Sequence, residues 1–441
     1  MGEIVLSGLI IFFFLFALYS VLEKEWRAFK RSGMVLGGLI LFLVAWIWAI
    51  PPQKQVAGYA LFAVFVGLGL VMLLSPRPRA QLQIQHSPHK IDERDVVFAR
   101  FDLEEGSQRF QEYYERKPEY SEMDAKIREL PDILTSHHLE KQPWLFSLAA
   151  AEFEFLEVQL DKVGGDVAAP VREGSPQDNT RLLKDVVRYL GSDKCRICEL
   201  DQSYVYSHIG RGPDPYGQKI HLSHSYALVF AVEMDYTMIA SAPQAPVIVE
   251  TAKQYVEAAK ISIIAANLIR KLGYSARAHI AGSNYNAMLT PLAWKAGLGE
   301  LGRLGLLITE ELGPRVRLGL VTTDLPLVPD IPLAFGVQDF CRRCKKCAVN
   351  CPAQAIPEGE PALDNGVWKW TINREACYRY WRKVGTDCAR CIFVCPYSKP
   401  NNIFHNLIRC VTGASITAQR LALRGDDWFY GRFPRSHKPP F

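Results

Sequence analysis

The sequence predicts a mixed fold of helices and strands, α+β or α/β, which follows apolar N-terminal helices and precedes a small cysteine-rich domain. Three observations lead to this prediction. Three long apolar runs without a charge lie near the start of the chain, helix and strand patterns alternate between residues 191 and 335, and eight cysteines at regular spacings follow. A chain of 441 residues is long enough for two or three domains with cores of their own.

The apolar runs are Ile4–Leu22, Gly33–Ile50 and Val56–Leu74. Because a helix rises about 1.5 Å per residue and a bilayer has roughly 30 Å of hydrocarbon, each run is long enough, or nearly so, to cross it. The first run lacks the basic start and the cleavage site of a signal peptide, and no twin-arginine pair precedes it. We therefore predict three transmembrane helices within residues 1–75. A buried helical hairpin is the alternative.

The charges between the runs predict an orientation. The loop after the first run carries four basic residues, Lys24, Arg27, Lys30 and Arg31. The loop after the second run carries only Lys54. By the positive-inside rule, the first loop and everything after Leu74 lie in the cytoplasm. We therefore expect a multi-pass protein of the cytoplasmic membrane, in contact with lipid, whose other domains lie on the cytoplasmic side.

The middle of the chain contains the predicted core. Residues 76–140 are polar and rich in Pro, Glu and Arg, and helical patterns follow at Gln142–Leu160 and Arg181–Leu190, so residues 76–190 are predicted to be a juxtamembrane linker with a helical region. Residues 191–335 form the core, with predicted strands at Tyr226–Glu233, Ala276–Ile280 and Leu318–Thr323 and a long helix at Val249–Leu272. Strand, helix and strand in this order favour an α/β layer. The aromatic and basic tail, residues 401–441, is expected to pack on the core.

The cysteines of residues 336–400 predict a ferredoxin-like domain with two [4Fe–4S] clusters. The run that begins at Cys341 has the C-x2-C-x2-C-x3-C-P spacing of bacterial ferredoxins, in which the fourth cysteine binds the other cluster. The predicted ligands of one cluster are Cys341, Cys344, Cys347 and Cys395. Those of the second cluster are Cys351, Cys377, Cys388 and Cys391. Zinc sites and disulfides are the alternatives, but zinc sites rarely use four cysteines in one run with these gaps.

Three other patterns are weaker. Gly297, Gly299 and Gly302 match G-x-G-x-x-G, but a helical stretch precedes them where a dinucleotide loop needs a strand, so we expect a tight turn that approaches another flat ligand. Cys195 and Cys198 form a C-x2-C pair outside any thioredoxin-like context, and we interpret them, like Cys410, as small buried residues. The net charge of +5 is nearly balanced, so no nucleic-acid partner is expected.

From about residue 191 to residue 400 the sequence resembles the reductive dehalogenases. The matching segments are the cysteine runs and Tyr226–Tyr236, Ile269–Ala276, Ala296–Leu307 and Gly313–Leu327. The resemblance implies a corrinoid, bound base-off, beside the two clusters, and a small organohalide as the substrate. Electrons would pass through the clusters to cobalt, and the carbon that loses the halogen would take a proton. Gly297, Gly299, Gly302 and Arg303 would then contact the corrinoid.

The resemblance also implies catalytic residues. Tyr255 falls at the position of the family's proton donor, and Arg317 at that of its cationic partner, with Arg315 as the alternative. A tyrosine hydroxyl has an ordinary pKa near 10, and a neighbouring cation favours the phenolate that remains. Thr251, one turn before Tyr255, falls where a small hydroxyl residue contacts substrate or halide. Either Asn284 or Asn286 is expected to supply a further polar contact.

Two other functions stay open on the sequence. The epoxyqueuosine reductases share the corrinoid, the clusters and part of the pattern. The segment Glu300–Arg303 and the residue Tyr255 favour the dehalogenases. A membrane-bound ferredoxin-type subunit without a corrinoid would leave the core domain without a role. The electron donor is open between a quinol-oxidising membrane partner and a ferredoxin or flavodoxin. His279 is expected to be a strand or loop residue rather than a cobalt ligand, since Arg277 stands where a carboxylate would orient it.

Overall fold

The computed structural model describes residues 2–135, 138, 142–281 and 285–440. The chain divides into two units, each with its own internal packing. The apolar-helix unit comprises Met1–Ala80 and Lys399–His437, and the core unit comprises Gln81–Ser398 and Lys438–Phe441.

The helices and strands are numbered in chain order. The helices are α1 (Gly2–Leu22), α2 (Trp26–Trp48), α3 (Pro51–Leu74), α4 (Val97–Phe101), α5 (Gln108–Arg116), α6 (Ser121–Arg128), α7 (Pro143–Glu157), α8 (Pro176–Tyr189), α9 (Tyr236–Ala240), α10 (Pro246–Lys271), α11 (Leu289–Lys295), α12 (Val337–Cys344), α13 (Lys346–Val349), α14 (Arg374–Val384), α15 (Arg390–Phe393), α16 (Ile403–Ala414) and α17 (Ile416–Phe429). The strands are β1 (Gln83–Ile84), β2 (Lys194–Glu199), β3 (Tyr226–Glu233), β4 (Ala276–His279), β5 (Glu300–Leu301), β6 (Leu307–Ile308), β7 (Val316–Thr323), β8 (Ala362–Asp364) and β9 (Val367–Lys369).

The three predicted apolar helices are present. By length and composition α1, α2 and α3 are each able to cross a membrane. The boundaries differ from the prediction, because α2 begins at Trp26 and so takes Arg27, Lys30 and Arg31 onto its first two turns. The turn between α1 and α2 is therefore only three residues long, Glu23–Glu25.

The C-terminal segment, which is predicted to pack on the core, divides between the two units, and the residues from Lys438 on belong to the core unit. Helices α16 and α17 instead belong to the apolar-helix unit. The ring of Phe404 lies edge-on to that of Phe12 in α1, with 5.3 Å between centroids, and His405 Nε2 lies 3.1 Å from Glu23 Oε1. Aromatic packing and a buried polar contact thus hold α16 against α1. Cys410 of α16 is exposed, so our prediction that it is buried was wrong.

The core unit contains a four-stranded sheet in the order β2-β3-β7-β4, with every neighbouring pair antiparallel. Strands β3 and β4 both pair with β7, so they run parallel to each other with β7 between them, and α10 connects them. The predicted mixed fold is confirmed. The strand, helix, strand order is a split βαβ unit, because a later strand inserts between the two.

Strand β3 is at the centre because both of its faces are covered. Six consecutive residues of Tyr226–Glu233 are buried, as expected for a continuous apolar run. Leu228, Phe230 and Val232 pack in the cluster that α10 closes, and the alternating residues pack in a second cluster with α11. These two layers fix the position of the sheet between the two helices.

Cys195 and Cys198 lie on β2 and are buried, which confirms that prediction. Cys195 packs in the cluster on the α10 face, and Cys198 packs in the cluster on the α11 face. Burial raises the pKa of both thiols, that of Cys198 to about 12. Thiols that stay protonated on opposite faces of a strand do not form a redox pair.

Gly319 of β7 pairs directly with Phe230 of β3. A Cβ atom at residue 319 would lie 2.1 Å from Phe230 Cζ, and both residues are buried. We expect Gly319→Ala to lower the free energy of unfolding by about 1–3 kcal/mol because the core has no room for the methyl group. Anaerobic thermal unfolding measures this change. Adding Phe230→Leu to Gly319→Ala is expected to recover part of the loss, and a variant as stable as the parent would contradict the packing.

Candidate functional site

The site is built on the contact between α10 and β7. Thr251 and Tyr255 are four residues apart on α10, so they lie on one face of that helix, and Arg317 lies on β7 opposite them. The guanidinium carbon of Arg317 lies 5.0 Å from the centroid of the Tyr255 ring. Arg317 Nη2 donates to Thr251 Oγ1 at 2.5 Å. The structure thus brings three of the predicted catalytic residues together.

Asp387 completes this group, and our sequence analysis missed it. Its Oδ2 accepts from Arg317 Nη2 at 2.6 Å and from the Thr251 hydroxyl at 2.6 Å. Asp387 directly precedes Cys388, one of the predicted cluster ligands. A largely buried arginine requires a partner, and that rule was available from the sequence. Only the fold shows which of many carboxylates supplies it.

The charges in this group stabilise one another. Burial alone would lower the pKa of Arg317, but Tyr255 and Asp387 raise it overall, so the guanidinium stays charged. Burial raises the pKa of Asp387, and Arg317 and the Thr251 hydroxyl act in the opposite direction. Among the described residues, Arg317 Nε and Asp387 Oδ1 are buried without a hydrogen-bond partner, so polar atoms remain for a bound group.

A cavity of about 510 Å³ opens beside this group. Tyr255 and Arg317 line one part of it, together with Tyr285. Aromatic and apolar side chains form most of the remaining wall, among them Tyr204, Tyr206, Met288, Trp294 and Trp370. Polar residues line another part, namely Thr290, Asn365, Lys369, Thr371 and Arg374. Such a wall suits a large flat group with a polar periphery.

Tyr285 is another phenol that lines the cavity together with Tyr255. Burial raises its pKa above the ordinary range, and Tyr255 raises it further. Arg317 lowers it, but to a smaller extent. A phenol with a raised pKa is a poorer proton donor, which argues against Tyr285 in that role.

The two asparagines have different outcomes. Asn284 lies outside the described residues. Asn286 is not among the residues that line the cavity, and its backbone N–H donates to His279 Nδ1 at 3.3 Å. His279 ends β4, which confirms its predicted place in a strand, and its Nε2 lies 2.9 Å from Thr322 Oγ1. With both ring nitrogens hydrogen-bonded, His279 has no free nitrogen for a metal.

Arg315 is not the partner of Tyr255. It is fully buried and donates to the carbonyls of Ser398 and Met234, and it pairs with Glu233 at 2.7 Å. Arg317 is therefore the cation at the cavity.

The glycine-rich turn, whose residues are predicted to contact the corrinoid, packs closely against other backbone segments. A Cβ at Gly297 would lie 2.3 Å from the Ile331 carbonyl oxygen, and one at Gly299 would lie 2.4 Å from that of Ile308. A Cβ at Gly302 would likewise meet the Ile308 side chain, at 2.5 Å. Protein atoms therefore fill the space next to all three glycines. None of the three lines the cavity.

Arg303 also lies outside the cavity lining. It is fully buried and donates to the carbonyls of Cys341, Pro357 and Gly359. Its guanidinium carbon lies 4.5 Å from the centroid of Trp370, which does line the cavity. Arg303 thus supports the cluster segment and the cavity wall and does not reach into the cavity.

The cysteines of the predicted cluster segment lie close to one another. Burial raises the pKa of Cys347, and the neighbours that raise it further include Cys341, Cys395 and Cys344. For Cys391 burial again comes first, followed by a second set of neighbours that includes Cys388, Cys377, Cys347 and Cys351. None of these cysteines forms a disulfide in the structure. Cys347 is itself a neighbour of Cys391, so the two groups of cysteines lie side by side.

In each of two C-x2-C loops the residue after the first cysteine has a positive φ. Lys345, which follows Cys344, has φ 53°, and Ala389, which follows Cys388, has φ 48°. Left-handed conformations at such residues carry strain and are typical of functional loops. In the described part of the chain no three His, Cys, Asp or Glu side chains converge on a single ion.

Comparisons with known proteins agree with this geometry. Residues 340–399 match a family described as a 4Fe-4S dicluster domain. The tetrachloroethene reductive dehalogenase of Desulfitobacterium hafniense is 34% identical over 302 residues, which are 58% of this chain and 54% of that protein. The corresponding enzyme of Sulfurospirillum multivorans is 31% identical over 304 residues, 61% of this chain and 59% of that protein.

The chain is related to the reductive dehalogenases. The resemblance predicted from the sequence is thereby confirmed, as is the presence of iron–sulfur cluster sites. A solved structure of the catabolic reductive dehalogenase NpRdhA has a TM-score of 0.65 at 23% identity and covers 82% of this chain and 50% of NpRdhA. That likeness shows a shared fold. The present chain spans about half the length of the curated relatives it matches, for example 54% of the Desulfitobacterium hafniense enzyme.

Asp387→Ala is expected to destabilise the core unit because it leaves Arg317 buried without its carboxylate. The expected loss in the free energy of unfolding is about 3–5 kcal/mol. Anaerobic thermal or denaturant unfolding measures it. Glu233→Ala is the matched control, since Arg315 keeps two carbonyl acceptors and should lose less. Equal, small losses in the two variants would contradict the importance of the Arg317–Asp387 pair.

Proposed function

We propose that this chain is a membrane-anchored, corrinoid-dependent reductive dehalogenase with two [4Fe–4S] clusters. One observation carries the proposal. Tyr255 lines an aromatic cavity and has the Arg317 guanidinium against its ring. Asp387, which binds Arg317, directly precedes the predicted cluster ligand Cys388. The proposed proton donor, the proposed cofactor cavity and the proposed electron-transfer site are therefore close together in space.

The lining of the cavity suits the corrin ring of a base-off corrinoid. Its aromatic walls suit the faces of a macrocycle, and Asn365, Lys369 and Arg374 suit polar substituents and a phosphate. His279 is already hydrogen-bonded through both nitrogens, so it does not compete for the metal. When bound, the corrinoid supplies the reduced cobalt that breaks the carbon–halogen bond, and the two clusters, held by the two cysteine sets, supply the electrons.

Tyr255 is the proposed source of the proton that replaces the halogen. After its O–H donates, a phenolate remains, and the positive charge of Arg317 stabilises it. Asp387 and the Thr251 hydroxyl hold Arg317 in place before the reaction, so little reorganisation is needed. Thr251 is thus a positioning residue in this structure, and a contact with halide or substrate remains a proposal.

The substrate is a small organohalide that fits an apolar cavity lined by aromatic side chains. The three apolar helices anchor the protein in the cytoplasmic membrane, and the basic residues at the start of α2 favour the cytoplasm for the core unit. Either a quinol-oxidising membrane partner or a ferredoxin or flavodoxin supplies the electrons.

Halide release tests the proposed function most simply. The full chain is loaded with corrinoid and iron–sulfur clusters under anaerobic conditions, reduced, and offered a panel of chlorinated and brominated ethenes and phenols. Release of halide with a hydrogen in its place supports the proposal. Reduction of an epoxyqueuosine-containing tRNA without halide release would favour the epoxyqueuosine reductase function. Electron transfer to a partner with neither activity would favour the ferredoxin-type subunit.

Tyr255→Phe removes the proposed proton donor and keeps the aromatic ring. We expect turnover to fall by about 10²–10⁴-fold, because the product carbon loses its general acid, while cobalt and iron contents stay unchanged. Tyr274→Phe is the matched control, since that hydroxyl bonds a loop carbonyl and does not line the cavity. Turnover of Tyr255→Phe equal to that of the control would exclude Tyr255 as the donor.

Substitutions of Arg317 separate charge from geometry. Arg317→Lys keeps the positive charge and should retain part of the activity. In Arg317→Ala the phenolate loses its cation, so the rate should fall further and the alkaline limb of the pH–rate profile should move to higher pH. The pH dependence of kcat for both variants measures this effect. Equal rates and profiles in Lys and Ala variants would show that the charge has no role.

A further inference from the structure

Helix α16 carries its polar side chains inward and its apolar side chains outward. The exposed residues of Ile403–Ala414 are all apolar or nearly so: Ile403, Leu407, Ile408, Cys410 and Ala414. Ile403 is 71% exposed and Leu407 53% exposed, whereas His405 is 9% and Arg409 7% exposed. A helix on a water-soluble surface has the opposite arrangement, with its polar face outward.

The inward polar side chains have partners. His405 and Asn402 both bond the Glu23 carboxylate, at 3.1 and 2.5 Å. Arg409 donates to Asn406 Oδ1 at 2.7 Å and to the Lys399 carbonyl. These satisfied contacts fix which face of α16 points inward. The outward apolar face is therefore a consequence of the packing of this helix.

Helix α16 also lies beside an apolar stretch of α1. The Phe404 ring has centroid distances of 5.3 Å to Phe12, 6.1 Å to Phe16 and 5.2 Å to Tyr19. Phe16 is six residues before Leu22, about 9 Å along the helix axis at 1.5 Å per residue. A side chain of α16 thus packs at a level of α1 that is expected to lie within the hydrocarbon of a bilayer.

The next helix continues this arrangement. On α17 the exposed residues include Arg420, Arg424 and Trp428, and the guanidinium of Arg31 lies 4.9 Å from the Trp428 ring centroid. Arginine and tryptophan side chains are typical of the boundary between lipid headgroups and hydrocarbon. The two C-terminal helices therefore have the surfaces of one embedded and one interfacial helix.

We propose that α16 is embedded in the bilayer, in the leaflet next to the turn between α1 and α2, and that lipid acyl chains cover Ile403, Leu407 and Ile408. The inference rests on the membrane anchoring proposed above. Lipid is the expected cover because α16 packs against helices that are themselves able to span a membrane. The C-terminal segment is then a part of the membrane anchor. A hydropathy search for segments of transmembrane length would miss it, because α16 has only 12 residues.

Cys410 provides the probe, since it lies on the same exposed face and the other cysteines are buried or are predicted cluster ligands. The full chain is labelled at Cys410 with a bimane fluorophore and reconstituted into phosphatidylcholine vesicles. Quenching is measured with nitroxides on the acyl chains and with aqueous iodide. Two controls, each combined with Cys410→Ser, place the same label at Leu18→Cys on α1 and at Glu122→Cys on α6, both exposed positions.

The Cys410 label should be quenched by acyl-chain nitroxides about as strongly as the Leu18 control. Iodide quenching should be at least roughly fivefold weaker than for the Glu122 control, because an ion enters hydrocarbon at high cost. Iodide quenching equal to that of the Glu122 control would overturn the proposal. A bis-maleimide cross-link between two copies through Cys410 would also overturn it, because a second protein would then cover this face. Strong iodide quenching of the Leu18 control would contradict the membrane anchor itself.

Discussion

The ion pair between Arg317 and Asp387 is the contact on which the candidate site depends. It joins β7, at the centre of the sheet, to the segment that begins the second C-x2-C loop, and Thr251 of α10 bonds to both partners. A largely buried charge is tolerated only with a partner, so the two segments cannot separate without a large cost. The pair therefore fixes where the cysteine-rich segment meets α10.

The same pair gives Arg317 two roles. Its guanidinium is held by Asp387 on one side and lies against the Tyr255 ring on the other. One ion pair thus fixes the position of the cation beside the Tyr255 ring.

The sequence predicted the parts of the fold that depend on local patterns. Strand Tyr226–Glu233 was predicted with its observed ends, because a buried run of β-branched and aromatic residues is unambiguous, and the cysteine spacing predicted two ligand sets. Asp387, the packing role of Gly297 and the place of α16 were missed. Each depends on contacts between residues far apart in the chain, which periodicity and spacing do not report.

The central claim is that a corrinoid and two iron–sulfur clusters act together in one chain. The cobalt and iron contents of anaerobically prepared protein, reconstituted with a corrinoid, test it most directly. The account predicts about one cobalt and about eight irons per chain, with the cobalt retained through gel filtration. Full iron content with no bound cobalt after reconstitution would contradict the account and leave an electron-transfer protein.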